Sequence, residues 1–145
     1  MDDNLSFKKF LDWVDNYSLN SETYKFENIM RQTKEFIPES DIKIFYPQYL
    51  FRENVETNLL LFTKTKVYKI TGDESRTFFH VFNLKDVVDV NFQVFNEAGR
   101  DNFILNISFT SDKHLSLNSL NDTNDHWRNT FINKIKAIFQ TLLNN

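Results

Sequence analysis

The spacing of apolar residues changes twice along this 145-residue chain, and these two changes limit the folds that it can adopt. Near residue 48 a helical period gives way to alternation, and near residue 121 the helical period returns. The clearest alternation places Val88, Val90, Phe92 and Val94 on one face of a segment. Alternation of this kind is typical of antiparallel strands with one buried and one solvent-facing side. The sequence therefore predicts an α+β fold with a central antiparallel β region.

Seven short strands are predicted in that region, with turns between them. Gly72 and Gly99 lie in two of these turns, where glycine accepts backbone angles that other residues avoid. Seven strands at short, regular spacing favour a barrel or a sandwich. The predicted strands cover about 48–54, 57–63, 66–71, 76–83, 88–94, 103–109 and 115–117.

Helices are predicted on both sides of the strands. At the N-terminus, apolar residues recur at helical spacing in two runs, which are separated near residues 18–21 and end before Pro38. The first run consists of Phe7, Phe10, Leu11, Val14 and Tyr17, and the second of Phe26, Ile29, Met30, Thr33 and Ile37. A third helix is predicted from about 123 to 143, with a wide apolar stripe that includes Trp127. We expect that helix to pack into the core.

The order of these elements resembles the pleckstrin-homology (PH) superfold, in which a long final helix closes one end of a bent seven-stranded antiparallel barrel. Residues 58–70, an apolar strand followed by a basic, threonine-containing turn and a second strand, are similar to the second hairpin of bacterial PH-like and GRAM domains. Trp127 is similar to the Trp common in that family's last helix. The resemblance implies one domain over 1–145, with N-terminal helices at 1–38 added to a PH-like barrel and helix at 45–145. The whole chain also resembles small bacterial PH-like proteins.

Several classes of enzyme are excluded by residues that the chain lacks. It has no cysteine, so disulfides, thiolate zinc sites and cysteine nucleophiles are impossible. Its only two glycines cannot form a P-loop, a dinucleotide-binding fingerprint or a nucleophile elbow. We therefore expect a protein that is not an enzyme and that needs no cofactor.

The histidines and paired carboxylates do not form a recognisable metal or catalytic motif. His80, His114 and His126 lack the close spacing of a preformed ligand pair. Asp86 and Asp89 are the one acidic pair that merits inspection for a pocket, because they flank the start of a strand. The pair Asp122 and Asp125 lies before a helix, so it is interpreted as solvated or capping. No catalytic or metal-binding residue is predicted.

The basic residues decide between lipid, nucleic acid and protein as partners. In phosphoinositide-binding PH domains a basic cluster lies in the first hairpin, but here Arg52 is accompanied by Glu53 and Glu56. Membrane lipid is therefore a disfavoured partner. The weak candidates for binding an anion or a partner lie around the next turn and are Lys64, Lys66 and Lys69. The net charge of −3, and aromatic residues without interleaved cations, argue against nucleic acid.

These observations leave a non-enzymatic protein-binding or adaptor module as the leading hypothesis. The alternatives are a peripheral membrane-surface binder and a small acidic protein of the immunity or antitoxin type, whose charge speeds association with a basic toxin. An enzyme with an unrecognised pocket is a further alternative. An acidic N-terminus without a long apolar run favours a cytoplasmic location.

Overall fold

The computed structural model describes residues 5–16 and 21–144 and shows an α+β fold, as the sequence predicts. Short 3-10 turns occupy Glu39–Asp41 and Leu84–Asp86. In the described part of the chain, no helix is both long and apolar enough to cross a membrane. The predicted helix break at 17–20, and Tyr17 with it, lies outside the described residues. The elements are α1 (Phe7–Asn16), α2 (Ser21–Phe36), β1 (Ile44–Gln48), β2 (Asn58–Phe62), β3 (Lys66–Gly72), β4 (Thr77–Asn83), β5 (Val87–Glu97), β6 (Arg100–Phe109), β7 (Lys113–Asn118) and α3 (Arg128–Leu143).

The described strands form two antiparallel sheets, and the predicted single closed barrel is not confirmed. One sheet has the order β1-β2-β3-β4, and the other has the order β5-β6-β7. The chain passes from one sheet to the other through the 3-10 turn Leu84–Asp86, after which β5 pairs with β6 and not with β4. The confirmed part of the fold prediction is α+β, with antiparallel strands and a C-terminal helix.

The first strand lies earlier than predicted, at Ile44–Gln48 instead of 48–54. The alternation that suggested residues 48–54 belongs to the connection that follows this strand. Pro47 lies inside the observed strand, opposite Leu59 of β2. Proline is found in sheets at edge strands, and β1 is an edge strand of the four-stranded sheet.

Strand β2 is buried on both faces of the four-stranded sheet, which explains why it is almost wholly apolar. Leu60 and Phe62 face the core shared with the second sheet and α3. Leu59 and Leu61 face the opposite side, where α1 and α2 cover them. A strand that is covered on both sides needs no alternation, so a continuous apolar run results.

Strand β5 contains an irregularity that overturns one sequence prediction. The pairing shifts between Val87 and Asp89, so that Val87 lies opposite Phe109 while Asp89 lies opposite Ser108. Val88 was predicted to be on the buried face, yet it is 64% exposed. A bulge adds one unpaired residue to a strand and thereby changes which side chains point inward.

Helix α3 begins at Arg128, five residues after the predicted start. Asparagine side chains before it bind the backbone: Asn118 accepts from the amides of Leu120 and Asn121, and Asn124 accepts from that of Trp127. Such bonds compete with helix formation and favour turns. Trp127 therefore precedes the helix, where it is half-buried and stacks on Phe51 with ring centres 4.9 Å apart.

A buried carboxylate joins the two sheets at the corner where β1 meets β7. Asp122, which is 1% exposed, accepts from the Tyr46 hydroxyl at 2.6 Å, the Gln48 amide at 3.0 Å and the backbone N–H of Asn118 at 2.8 Å. Gln48 also donates to the carbonyl of Ser116 on β7. The interpretation of Asp122 as a solvated or capping residue was wrong. We call these residues the Asp122 joint.

Burial is the main influence on the ionisation of this joint. It raises the pKa of Asp122 to about 6, although the bonds from Tyr46, Asn118 and Gln48 favour the charged form. Burial, with the nearby Asp122 charge, also raises the pKa of Tyr46 well above its ordinary value. Asp122 therefore carries a desolvation cost when it is charged, which its hydrogen bonds offset only in part.

The inward face of α3 is predicted to be essential for stability. Phe131 is fully buried and meets Tyr46 edge-on with ring centres 4.9 Å apart. We expect Phe131→Ala to lower the free energy of unfolding by about 3–5 kcal/mol, because it removes a buried ring and leaves a cavity. Leu143→Ala, at a position that is 65% exposed, should change it by less than about 0.5 kcal/mol. Similar midpoints for both variants in urea unfolding would contradict this packing.

The Asp122 joint predicts a specific dependence of stability on pH. Because the folded-state pKa lies above the ordinary value of 3.8, the protonated carboxyl contributes stability that is present below about pH 4 and lost as pH rises to about 6. A difference of one in pKa corresponds to about 1.4 kcal/mol, and part of the change falls outside the range from pH 4 to 6.5. The free energy of unfolding of Asp122→Asn should therefore rise by about 2 kcal/mol relative to that of the wild type between pH 4 and 6.5.

Urea unfolding of both proteins at several pH values provides the measurement. Leu143→Ala is the control, because it removes no titrating group, lies at a position that is 65% exposed, and should differ from the wild type by a constant amount. The difference in free energy of unfolding between Asp122→Asn and the wild type should rise with pH. A difference that stays constant or falls as pH rises would contradict a buried carboxyl with a raised pKa.

Candidate functional site

The turn between β2 and β3 holds two of the predicted lysines in a fixed backbone. Thr63 accepts from the backbone N–H groups of Thr65 and Lys66 through its hydroxyl, and its own N–H donates to the Lys66 carbonyl at 2.8 Å. The turn is also tied to the start of the second sheet, because the backbone N–H of Leu84 donates to the Thr65 carbonyl at 2.9 Å. The positions from which Lys64 and Lys66 extend are therefore well defined.

A cavity of about 620 Å³ lies beside this turn, between the two sheets and the end of α3. Three lysines contribute to its wall: Lys64, Lys66 and Lys85. We call it the lysine cavity. Its volume falls within the range of small-molecule sites. Its full lining is Lys64, Thr65, Lys66, Asn83, Leu84, Lys85, Val87 and Leu142.

The structure brings together two of the three predicted basic residues. Lys64 and Lys66 line both the lysine cavity and an adjoining hollow of about 330 Å³, to which Lys43 and Asp41 also contribute. Lys69 lines neither of them; it lies within β3, opposite His80 of β4. The structure thus places Lys64 and Lys66 on one surface and places Lys69 outside it.

Sequence reasoning missed Lys85 and Lys43, although the strand order contains a signal for both. In consecutive antiparallel strands, the turns after β2 and after β4 lie at the same end of the sheet. Lys85 lies in the turn after β4, and the backbone N–H of Lys43, just before β1, donates to the Phe62 carbonyl at the end of β2. Grouping the turns by the end of the sheet would have identified both lysines.

The connection between β1 and β2 uses its arginine for structure. Arg52 donates from Nε to the Asn121 carbonyl at 3.1 Å and from its guanidinium to the Leu120 carbonyl at 2.6 Å. These bonds hold the segment before α3 against the β1–β2 connection. The absence of a phosphoinositide site in this connection remains a prediction.

The histidines and the inspected acidic pair lie on separate parts of the fold. His80 is exposed on β4, His114 is exposed on β7, and His126 is exposed just before α3. Asp86 borders a hollow of about 150 Å³ at the 3-10 turn, whereas Asp89 is exposed on β5. Within residues 5–16 and 21–144, no three His, Asp or Glu side chains lie together as a metal site requires.

The free edge of β5 forms a second candidate surface. This strand has eleven residues and pairs only with β6 among the described strands. Its exposed apolar residues are Val88 at 64%, Val94 at 54% and Phe95 at 42%. It contains no lysine, arginine or proline, which are among the features that protect strand edges from further pairing; Asp89 and the adjacent bulge are features of this kind that it has. We call this the β5 edge surface.

Comparison with known proteins gives a family without an assigned activity. A family described as "Protein of unknown function (DUF3908)" matches residues 6–133. No curated protein matches the chain, and no solved structure matches it. The matched region contains α1, α2, all seven described strands and the beginning of α3. The chain therefore belongs to the DUF3908 family.

Proposed function

We propose that this protein is a non-enzymatic protein-binding module with a PH-like fold. The four-stranded and three-stranded antiparallel sheets, together with the C-terminal helix, are compatible with that fold. A PH-like fold by itself does not specify a ligand. The proposal therefore depends on a surface of this chain.

The observation that carries the proposal is the β5 edge surface. A partner with an extended segment gains main-chain hydrogen bonds by adding a strand to an open sheet edge, and side-chain contacts supply its specificity. Exposed Val88, Val94 and Phe95 offer apolar contacts along such a segment. The bulge between Val87 and Asp89 leaves the pairing of β5 with β6 regular from Asp89 to Glu97.

The other edge strands are β1, β4 and β7. A hydrogen bond from Gln48 to the Ser116 carbonyl links β1 to β7, and β4 is less suited to the same role because α2 lies against this strand. Asn28 of α2 donates to the Thr77 hydroxyl of β4 at 3.1 Å. Phe36 of α2 meets Phe79 of β4 edge-on, with ring centres 5.8 Å apart. Among the described residues, the one ring contact between a helix and β5 joins Phe139 of α3 to Phe92, with ring centres 4.2 Å apart. This contact lies on the core side of β5. The proposed partner segment therefore pairs with β5.

Selection of peptides tests this proposal directly. A library of random linear peptides displayed on phage is selected against the immobilised protein, and binders are measured as free peptides by calorimetry. We expect binders with alternating apolar residues, whose addition shifts the backbone NMR signals of β5. Phe95→Lys should weaken their binding at least tenfold, because an edge lysine opposes strand pairing.

Phe78→Lys is the matched control, since Phe78 is an exposed aromatic residue of the other sheet, on β4. It should leave peptide affinity unchanged. Equal losses in Phe78→Lys and Phe95→Lys, or NMR shifts confined to other strands, would contradict a binding surface on β5.

A further inference from the structure

We propose that the lysine cavity binds an amphiphilic anion, which consists of one carboxylate or phosphate head group on an apolar chain. This inference goes beyond the proposed protein-binding function and does not depend on it. It rests on the charge, the floor and the framework of the cavity between the β2–β3 turn, the β4–β5 turn and the end of α3.

The charge of the cavity is concentrated and of one sign. Lys64, Lys66 and Lys85 line it, and no aspartate or glutamate does. The ion pairs found among the described residues involve Arg76, Arg100 and Arg128, and none of them involves the three lysines. The chain as a whole carries more acidic than basic residues, so this local excess of positive charge runs against its composition. An anionic group would supply the charge partner that the walls lack.

The floor of the cavity is apolar, which sets this site apart from a simple cluster of surface lysines. Leu84 is buried, while Val87 and Leu142 are half-buried, and all three line the cavity. Inorganic phosphate would leave this floor in contact with water. An attached apolar chain would cover it, and each methylene so enclosed strengthens binding by about fourfold.

The framework holds the head-group residues and the floor together. The hydrogen bond from the Leu84 N–H to the Thr65 carbonyl joins the lysine turn to the residue that forms the floor. Because both sides of the cavity are fixed by backbone bonds, the lysines need only reorient their side chains to meet a head group. Such preorganisation lowers the entropic cost of binding.

Titration with defined amphiphiles, followed by NMR of the backbone amides, is the test. The probes are decanoate and decyl phosphate, both used below the concentrations at which they form micelles. We expect saturable shifts centred on residues 64–66 and 83–87, with affinity falling about fourfold for each enclosed methylene removed from the chain. Stronger binding of decanoate or of decyl phosphate identifies the preferred head group.

Three comparison probes can overturn the proposal. Decanol with the affinity of decanoate would show that charge is not recognised. Acetate or inorganic phosphate with that affinity would show that the apolar floor plays no part. Shifts centred on the cleft between α1 and α3, a separate cavity of about 420 Å³ lined by Phe7 and Lys134, would place the ligand elsewhere.

Variants locate the head group. Lys64→Gln and Lys85→Gln remove exposed charges and should each weaken decanoate binding roughly fivefold without changing the melting temperature. Lys34→Gln, an exposed lysine on α2, is the matched control and should bind as the wild type does. Equal weakening in all three variants would show that binding depends only on the overall charge of the protein, and it would contradict a site at the lysine cavity.

A final measurement separates a free amphiphile from a membrane surface. Vesicles of phosphatidylcholine with phosphatidylglycerol are sedimented with the protein at physiological salt. We expect the protein to remain in the supernatant, because three lysines on a chain of net charge −3 are attracted only weakly to an anionic surface. Retention on these vesicles without binding of decanoate or decyl phosphate would overturn the cavity proposal in favour of a membrane-surface role.

Discussion

The buried carboxylate of Asp122 is the constraint on which the arrangement of the two sheets depends. Backbone ladders hold each sheet together, but none of the described ladders joins one sheet to the other. At the corner of β1 and β7, Asp122 accepts hydrogen bonds from a strand of each sheet, through Tyr46 on one side and Asn118 on the other. A buried charge with several donors is costly to form but specific in geometry, since removing any donor leaves the buried carboxylate less well satisfied.

Both proposed binding surfaces lie near the other crossing between the sheets, from β4 to β5. There the chain turns through Leu84–Asp86, and β5 pairs with β6 and not with β4, although Phe82 of β4 meets Phe109 of β6 with ring centres 4.9 Å apart. One edge of β5 therefore has no partner among the described strands, and the lysine cavity lies beside the turn. Both proposals thus depend on the point at which the chain passes from one sheet to the other.

The spacing of apolar residues along the sequence predicted most of the fold, and the predictions that were wrong have physical causes. Six of the seven strands lie close to their predicted positions, because each has a face that must be buried. The period could not reveal the bulge that exposes Val88, or the edge position that accommodates Pro47 inside β1. The burial of Asp122 depends on partners more than 70 residues away in the chain. For the same reason, Lys64 and Lys66 were found from their own turn, whereas Lys85 required knowledge of strand order.

The central claim is that one edge of β5 is open in the free protein, whereas β6 is paired on both sides from residue 104 to residue 109. Hydrogen exchange of the free protein, resolved for each amide by NMR, tests this most directly. Alternate amides of β5 should exchange rapidly, because they point away from β6, whereas the amides of residues 104–109 of β6, which lie between β5 and β7, should all be protected. Uniform protection along β5 in the free protein would show that its edge is already covered and would contradict the claim.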